Sequence, residues 1–340
     1  MKPPPSLEII GGGLAGLSLG LALRHAGVPV TLFEAGDYPR HRVCGEFISG
    51  LSAATMARLG LAPLLAHALH HHEVVWFIGG QAPRRQRLPA PALGLSRQVL
   101  DARLAAAFRT AGGHLRVRTR VTDLTPRPGR IFATGRRRGR SLWLGLKIHA
   151  HDLPLERELE VHLGAQAYVG LAQVENNRVN ICGLFRRREL SARGADLLLA
   201  YLQAAGLASL ATRIRTATTD PASFCAVAAV SFDRRVPDFD SVTLGDACAM
   251  IPPFTGNGMA MAFQSAELAL DPLLAYAHGK CGWPETCRTI HVALSRRFRL
   301  RLASAHLLHP YLLQPARQRW LAALNRAHLL PFQPIYAALH

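Results

Sequence analysis

The sequence predicts an α/β fold: a parallel nucleotide-binding layer, an inserted antiparallel sheet and a helical C-terminal region. Three observations carry this reading. An apolar strand, Leu7 to Ile10, runs into Gly11-Gly12-Gly13-Leu14-Ala15-Gly16 and an Ala/Leu-rich helix, and a second apolar strand, Val28 to Phe33, ends in Glu34. Period-two alternation with hairpin signals fills Ser141 to Phe185. Farther on, the strand Val242 to Leu244 delivers Gly245-Asp246-Ala247 and then Pro252-Pro253-Phe254-Thr255-Gly256-Asn257-Gly258 ahead of a small-residue helix from Met259 to Leu270.

The first of these is a complete βαβ unit. Gly11 permits the tight turn, Gly13 lets the backbone approach a pyrophosphate and Gly16 lets helix and strand pack closely, so that the helix N-terminus faces the phosphates. Glu34 follows Gly16 by 18 residues, where a carboxylate can take both ribose hydroxyls of an adenosine half. An acid there disfavours a 2′-phosphate, so the dinucleotide is FAD or NAD rather than NADP. Arg24, His25 and Pro29 argue against reading the apolar stretch from Ile9 to Phe33 as a membrane span.

At 340 residues and 49% apolar content the chain can bury a large core and is not disordered. Met1 to Ser6 reads as a short leader without a secretory apolar core, and the expected compartment is the cytoplasm. Cys44, Cys182, Cys225, Cys248, Cys281 and Cys287 lack a repeated CxxC spacing and read as reduced thiols; neither Cys281/Cys287 nor His70-His71-His72, expected in a solvated loop or helix end, has metal-ligand spacing, so no metal is expected. The net charge of +18 is almost wholly arginine, Lys2, Lys147 and Lys280 being the only lysines. No acid follows Glu285, while Arg288, Arg296, Arg297, Arg299, Arg301, Arg317, Arg319 and Arg326 do. These arginines are not interleaved with a base-stacking aromatic stripe, so no nucleic acid is expected as partner.

Between the landmarks, Asp37 to Glu46 reads as loop, Leu51 to Leu69 as helix, Val74 to Ile78 as strand, Gln81 to Arg87 as polar turn, Arg97 to Ala111 as helix and Leu115 to Val121 as strand. Four antiparallel strands follow at Ser141 to Ala150, Leu155 to Leu163, Gln166 to Val174 and Val179 to Phe185, the last pair joined at Asn176-Asn177, and Ala195 to Ala205 is helical. The expected domains are therefore discontinuous: 1–70, 96–135 and 240–272 bind the nucleotide, 71–95 and 136–239 bind substrate, and 273–340 is helical, divided by Pro310 and Pro315 into short helices.

The ordered set GGGLAG with Glu34, RVCGE at Arg42 to Glu46, SRQVLDARL at Ser96 to Leu104, ATG at Ala133 to Gly135 and LGDACAMIPPFTGNGMAMA at Leu244 to Ala262 resembles the FAD-dependent oxidoreductase superfamily of aromatic hydroxylases, ubiquinone-biosynthesis hydroxylases, geranylgeranyl reductases and flavin-dependent halogenases. The resemblance implies a Rossmann-like FAD-binding domain. It implies that FAD is held by Gly11, Gly13, Leu14, Ala15, Gly16 and Glu34, by Arg42, Arg97 and Val121, and by Asp246, Pro253, Gly256, Asn257, Gly258 and Met259. Arg97 resembles the arginine directed at the flavin phosphates. The chain departs from the pattern between Thr122 and Phe132, where a longer β-excursion is usual, and at Arg136-Arg137-Arg138; the absence of a second GxGxxG after a strand leaves NADH or NADPH as a transient electron donor.

Within that superfamily, none of Trp76, Trp143, Trp283 and Trp320 sits in a halogenase WxWxIP motif. Cys44 resembles the Cys-Gly of geranylgeranyl reductases and favours a reductase, while the compact one-dinucleotide design favours a hydroxylase by a small margin. On the strand through Leu144 to His149, Gly145, Lys147 and His149 share one face, able to bind a phenolate or carboxylate and shuttle its proton, unless that face meets solvent; Tyr168 is a candidate neighbour. The candidate catalytic residues are Lys147, His149 and Cys44, and the substrate a lipophilic or aromatic small molecule. A non-enzymatic basic membrane- or nucleic-acid-binding protein is the remaining class, and it predicts a protein without flavin. The apolar residues among the tail arginines, Phe298, Leu300, Leu302, Leu307, Leu308, Leu312, Leu313, Trp320, Leu321 and Leu324, either cap the core or form a basic lipophilic surface for a peripheral membrane or an acidic carrier protein.

Overall fold

The computed structural model describes residues 6–78, 82–136, 139–232, 239–327, 329 and 331–340. The leader before Ser6, Gln81 and Arg137-Arg138 lie outside the described residues.

The chain opens as expected. β1 (Leu7–Ile10) leads into α1 (Leu14–His25), whose residues from Leu14 to Leu23 are all buried, and β2 (Val30–Phe33) pairs parallel with β1. A helix apolar all round must be covered on every side. After β3 (Phe47–Ile48), the stretch expected as one helix forms two short ones, α2 (Ala53–Arg58) and α3 (Ala62–Leu65), because Gly60 between them adopts φ +67°. β4 (Leu69–Ile78) and β5 (Arg84–Gly94) form a long hairpin, so most of the expected polar turn is strand; Pro89 and Pro91 are tolerated because β3 pairs only with Leu93 and Gly94, which leaves the rest of that edge open. His71, expected in a solvated loop or helix end, lies on β4 fully buried.

α4 (Arg97–Thr110) is capped by Ser96, and its Phe108 packs where Gly20 of α1 leaves room: a Cβ there would come within 2.9 Å of the ring. β6 (His114–Arg116) is shorter than the strand expected to Val121. Past it the backbone turns back, Arg118 N–H to Gly36 O and Thr119 N–H to Glu34 O, so the residues that follow have no strand to pair with. β7 (Arg130–Phe132) completes this half.

β8 (Trp143–His151), β9 (Leu159–Gly164), β10 (Ala167–Val174) and β11 (Arg178–Arg186) follow, the last two joined through Asn176 and Asn177 at φ +60° and +54°. α5 (Gly194–Ala204) and α6 (Ala208–Arg215) precede β12 (Thr218–Val227), and β13 (Val242–Thr243) returns to the first sheet. Among the described residues one sheet is all parallel in the order β13-β7-β1-β2-β6, and the other runs β12-β8-β11-β10-β9-β4-β5-β3. The second sheet is mixed rather than purely antiparallel. β4 pairs parallel with β9, because β4 arrives by a crossover from the nucleotide-binding half rather than through a hairpin.

Leu146, Ile148, Val169 and Ile181 on one face of this sheet pack against Leu198, Leu202 and Ile214 of α5 and α6. The opposite face is left for the functional site. α7 (Gly258–Ala277) lies against α1, and α8 (Trp283–Leu313), α9 (Pro315–Arg326) and α10 (Phe332–Leu339) close the chain. Pro310 does not divide the tail as expected: α8 runs through it, and the break falls at Gln314 before Pro315. The tail's expected lipophilic face divides: Phe298, Leu312 and Leu313 are buried, and even Arg301 is only 3% exposed, while Leu300, Leu307 and Trp320 remain on the surface.

Candidate functional site

Two helix N-termini, each opened by a glycine, frame a cradle. A Cβ on Gly13 at the start of α1, or on Gly258 at the start of α7, would meet nothing within 4 Å, whereas one on Gly11 would strike Ala133 O at 2.2 Å and one on Gly16 would strike Gly11 O at 2.1 Å. The first pair faces open space and the second makes close contacts. Gly245, at φ +59°, lies against Ala15 and Ala262, so the turn carrying Asp246 is wedged between α1 and α7. Leu14, Ala15 and Met259 are buried in the first turns of these helices, and Val121 lies on the irregular segment between β6 and β7. Backbone N–H groups and positive helix ends converging on one space form a site for a phosphate-bearing ligand.

Glu34 ends β2 beside it. Its Oε2 accepts from Gly12 N–H at 2.9 Å, and its Oε1 from Gly36 N–H and Arg40 Nη2, each at 2.7 Å. Burial disfavours its charged form, but the Gly36 donor and the neighbouring arginines outweigh burial and hold the carboxyl below its usual range. The Tyr38 hydroxyl donates to Gly12 O at 2.5 Å. Arg97, expected at the phosphates, spends Nε and Nη2 on Asp101 at 2.8 and 2.9 Å and also engages the Cys44 thiol. Arg42 gives Nε to Asp101 at 2.9 Å, while its buried Nη2 has no hydrogen-bond partner and sits 3.7 Å from Glu34 Oε2. Of the two arginines, Arg42 has the larger share of its donors left for an anion.

The Pro253–Thr255 turn divides its tasks. Phe254 reaches the large sheet, Gly256 at φ +68° admits the Phe47 ring where a Cβ would come within 2.1 Å, and Gly258 opens onto the cradle. Asn257 Nδ2 donates to Leu339 O at 2.6 Å, so this side chain ties down the end of α10.

The inner face of the large sheet supplies the second part. The register sets three rows across it: His149, Asn180 and Ala172; then Cys225, Lys147, Cys182 and Gly170; then Gly145, Leu184 and Tyr168. Lys147 and His149 are fully buried, not solvent-facing. Lys147 Nζ donates to His41 Nδ1 at 3.1 Å and lies 3.6 Å from Glu46 Oε1, while His149 Nε2 lies 2.5 Å from Glu46 Oε2. Burial first, then Lys147 and His149, push the His41 imidazole down to about 4, which suits its accepting from an ammonium. His149 Nδ1 and its cross-strand neighbour Asn180 Oδ1 are buried without partners. Burial pushes the Cys44 thiol up against the opposing pull of Arg97, and Cys182 likewise rises with burial and the Cys44 and Glu46 charges. These are poor conditions for a thiolate.

Toward Tyr168 the face becomes aromatic: His309 of α8 lies among Phe232 at 5.2 Å, Trp143 at 5.8 Å, and Tyr168 and Phe254 each at 6.0 Å, and its Nε2 has no partner. Between the ends the floor is small, with Gly170 and Cys182 half-buried and no atom within 3.9 Å of where a Gly170 Cβ would stand. Two rows along the strands, roughly 13 Å, and two strand spacings across the sheet, roughly 10 Å, separate His149 from Tyr168, about 16 Å in all. Sequence reasoning named Lys147 and His149 but missed Asn180, His309 and Asp101, and read Glu46 only as part of RVCGE. Asn180 was open to the same period-two argument on β11; the others depend on tertiary contacts.

The fold, a parallel sheet with two glycine-opened helix ends opposed by the inner face of a large mixed sheet, is one that solved structures of a probable FAD-dependent monooxygenase and a reductase-like protein share. Residues 9–44 match the NAD(P)-binding Rossmann-like domain. The chain is 27% identical over 136 residues to a menaquinone reductase of Mycolicibacterium smegmatis, a match spanning 37% of this chain and 32% of that protein. Its structure resembles that of pqsL, a probable FAD-dependent monooxygenase from Pseudomonas aeruginosa, with a TM-score of 0.71 at 15% identity over 94% of this chain and 100% of that one. It also resembles a geranylgeranyl bacteriochlorophyll reductase-like protein from Thermoplasma acidophilum, with a TM-score of 0.73 at 15% identity over 94% and 91% of the two chains.

Proposed function

We propose that this chain is an FAD-dependent oxidoreductase, a monooxygenase that hydroxylates a lipophilic or aromatic small molecule, with NADH or NADPH as transient donor. The observation that carries the substrate side is the inner sheet face, where unpartnered His149 Nδ1 and Asn180 Oδ1 stand at one end and an aromatic cluster at the other. Open space at Gly13 and Gly258 and the unpartnered Arg42 Nη2 fit FAD in the cradle. Bound FAD would supply two-electron redox chemistry and reactivity toward oxygen.

The protein's own groups bind and move the proton. With Nε2–H given to Glu46, His149 Nδ1 presents a lone pair that takes the proton of a substrate hydroxyl, and Asn180 sits beside it to orient that group. Glu46 and Lys147 then link His149 to half-exposed His41, a path from the buried end toward solvent. The aromatic cluster excludes water from the apolar end. The six cysteines, none of them in a disulfide among the described residues, fit a reducing cytoplasm. No helix among the described residues is long and apolar enough to cross a membrane.

Double-bond reduction is the second reading, favoured by the similarity to a menaquinone reductase and a geranylgeranyl reductase-like protein. Flavin content of the purified protein tests the cofactor, and substrate-dependent oxygen uptake with NADH or NADPH separates the two reactions. A colourless, folded protein that takes up no added FAD overturns both; substrate turnover without oxygen uptake leaves the reductase.

A further inference from the structure

α8 buries one stripe, including Ile290, Leu294, Phe298 and Ala305, and presents the opposite one to solvent. At 100° per residue, Arg288, Val292, Arg296, Arg299, Leu300 and Leu307 fall within an arc of about 120°. Leu307 at 70% and Leu300 at 68% are the two most exposed large apolar side chains among the described residues. Tyr311 continues the stripe one turn on, with the Arg317 guanidinium over its ring at 5.0 Å and the Trp320 ring 5.9 Å away. The face therefore extends onto α9. No acidic residue occurs anywhere after Glu285.

We propose that this outer face of α8, continued by Trp320, docks on an anionic lipid bilayer, with the helix lying in the interfacial plane. Leu300 and Leu307 along one side of the stripe, with Val292 nearer its middle, gain from entering an acyl boundary and gain nothing from a soluble polyanion, while Arg288 and Arg299 on the other side and Arg296 between them meet the headgroup charge. Tyr and Trp at one end suit the same boundary. The docking does not depend on the flavin reading. One consequence does: the inner face of the same helix carries His309 into the aromatic cluster, so the element resting on the bilayer is also a wall of the substrate chamber, placed to receive a lipophilic substrate from the membrane.

The test is co-sedimentation of the full chain with phosphatidylcholine vesicles, with and without phosphatidylglycerol, at low and high salt. Wild-type protein should sediment with the anionic vesicles at low salt and be released at high salt. Leu300→Ser/Leu307→Ser, at positions where the fold needs neither side chain, should lower the partition coefficient at least about tenfold. Arg296→Gln/Arg299→Gln should lower it about 25-fold at low salt, about fivefold per cation, and much less at high salt. Quenching of tryptophan fluorescence by brominated lipid reports Trp320 insertion in the unsubstituted protein, with Trp320→Phe as control. Absence of binding to anionic vesicles at low salt overturns the proposal. So does undiminished binding by the leucine pair, which would make the attraction a general one of arginine for polyanions, and so does quenching unchanged by Trp320→Phe.

Discussion

Glu46 Oε2 lies 2.5 Å from His149 Nε2, with both side chains fully buried and 103 residues apart in sequence. Glu46 reaches this position from a left-handed backbone, φ +57°, uncommon for a residue with a side chain. Its other oxygen accepts from Arg97 N–H at 3.1 Å and lies 3.6 Å from Lys147 Nζ. One carboxyl thus joins the 41–46 loop to β8 and to the start of α4, and holds the imidazole with Nδ1 free. That combination fixes the ring's position and, with the proton on Nε2, leaves Nδ1 as an acceptor.

Glu46→Gln keeps the shape and removes the charge. With Lys147 left buried beside a neutral amide, unfolding free energy should fall by about 3 kcal/mol, measured by urea denaturation. Turnover should fall by about 100-fold while flavin content stays unchanged. Unaltered turnover would show that His149 needs no partner.

His149→Ala and Lys147→Met should leave FAD bound and slow turnover, His149→Ala by about 100-fold. Added imidazole should partly restore His149→Ala, since the site keeps Glu46 to orient it. A purely structural role for His149 would lower stability without chemical rescue.

The two arginines beside the cradle should separate in kind. Arg42→Ala removes the unpartnered Nη2 and should raise the FAD dissociation constant at least about tenfold, a charge-assisted hydrogen bond being worth about 1.5–3 kcal/mol; Glu34→Gln should act in the same range. Arg97→Ala leaves buried Asp101 with Arg42 alone and should lower thermal stability more than FAD affinity. Equilibrium dialysis with FAD and thermal melts of each variant give the comparison, and a larger FAD defect in Arg97→Ala would restore the role the sequence suggested for it.

The nucleotide-binding unit was legible because its signals are local: Gly11, Gly13, Gly16 and Glu34 lie on one strand-helix-strand run, and strand period alone put Lys147 and His149 on one face. What escaped is set by non-local register and by loops. Nothing in the sequence pairs Asn180 with His149, since β8 and β11 are separated by two other strands. Arg42 and Arg97 both stand among the cofactor residues that the resemblance implies, Arg97 at the phosphates, and the sequence carries Asp101 only as a letter of SRQVLDARL; its contacts to both arginines, which separate their roles, are set by the fold. In the tail, composition announced arginines among leucines; the phase of a single long helix decides that Phe298 and Arg301 turn inward and Leu300 and Leu307 outward.

Acid should destabilise this fold through histidines buried without charge. Burial pushes the imidazoles of His71 and His309 down to about 4, with His306 adding to the effect at His309. In the unfolded chain each takes up a proton near 6.5, so between about pH 6.5 and 4 the unfolded state holds more protons. Their contribution to stability is complete above that window and is lost as pH falls through it, at up to about 1.4 kcal/mol per pH unit for each histidine. His309→Phe keeps a ring among Trp143, Tyr168, Phe232 and Phe254 and removes a buried, unpartnered Nε2, so the variant should be more stable than wild type even at pH 7. Its advantage should widen toward pH 5 by about 1 kcal/mol or more, read from urea midpoints at the two pH values. An equal acid slope in both proteins would mean that His309 takes up its proton at the same pH folded as unfolded, and that burial among the aromatic rings does not hold its imidazole uncharged.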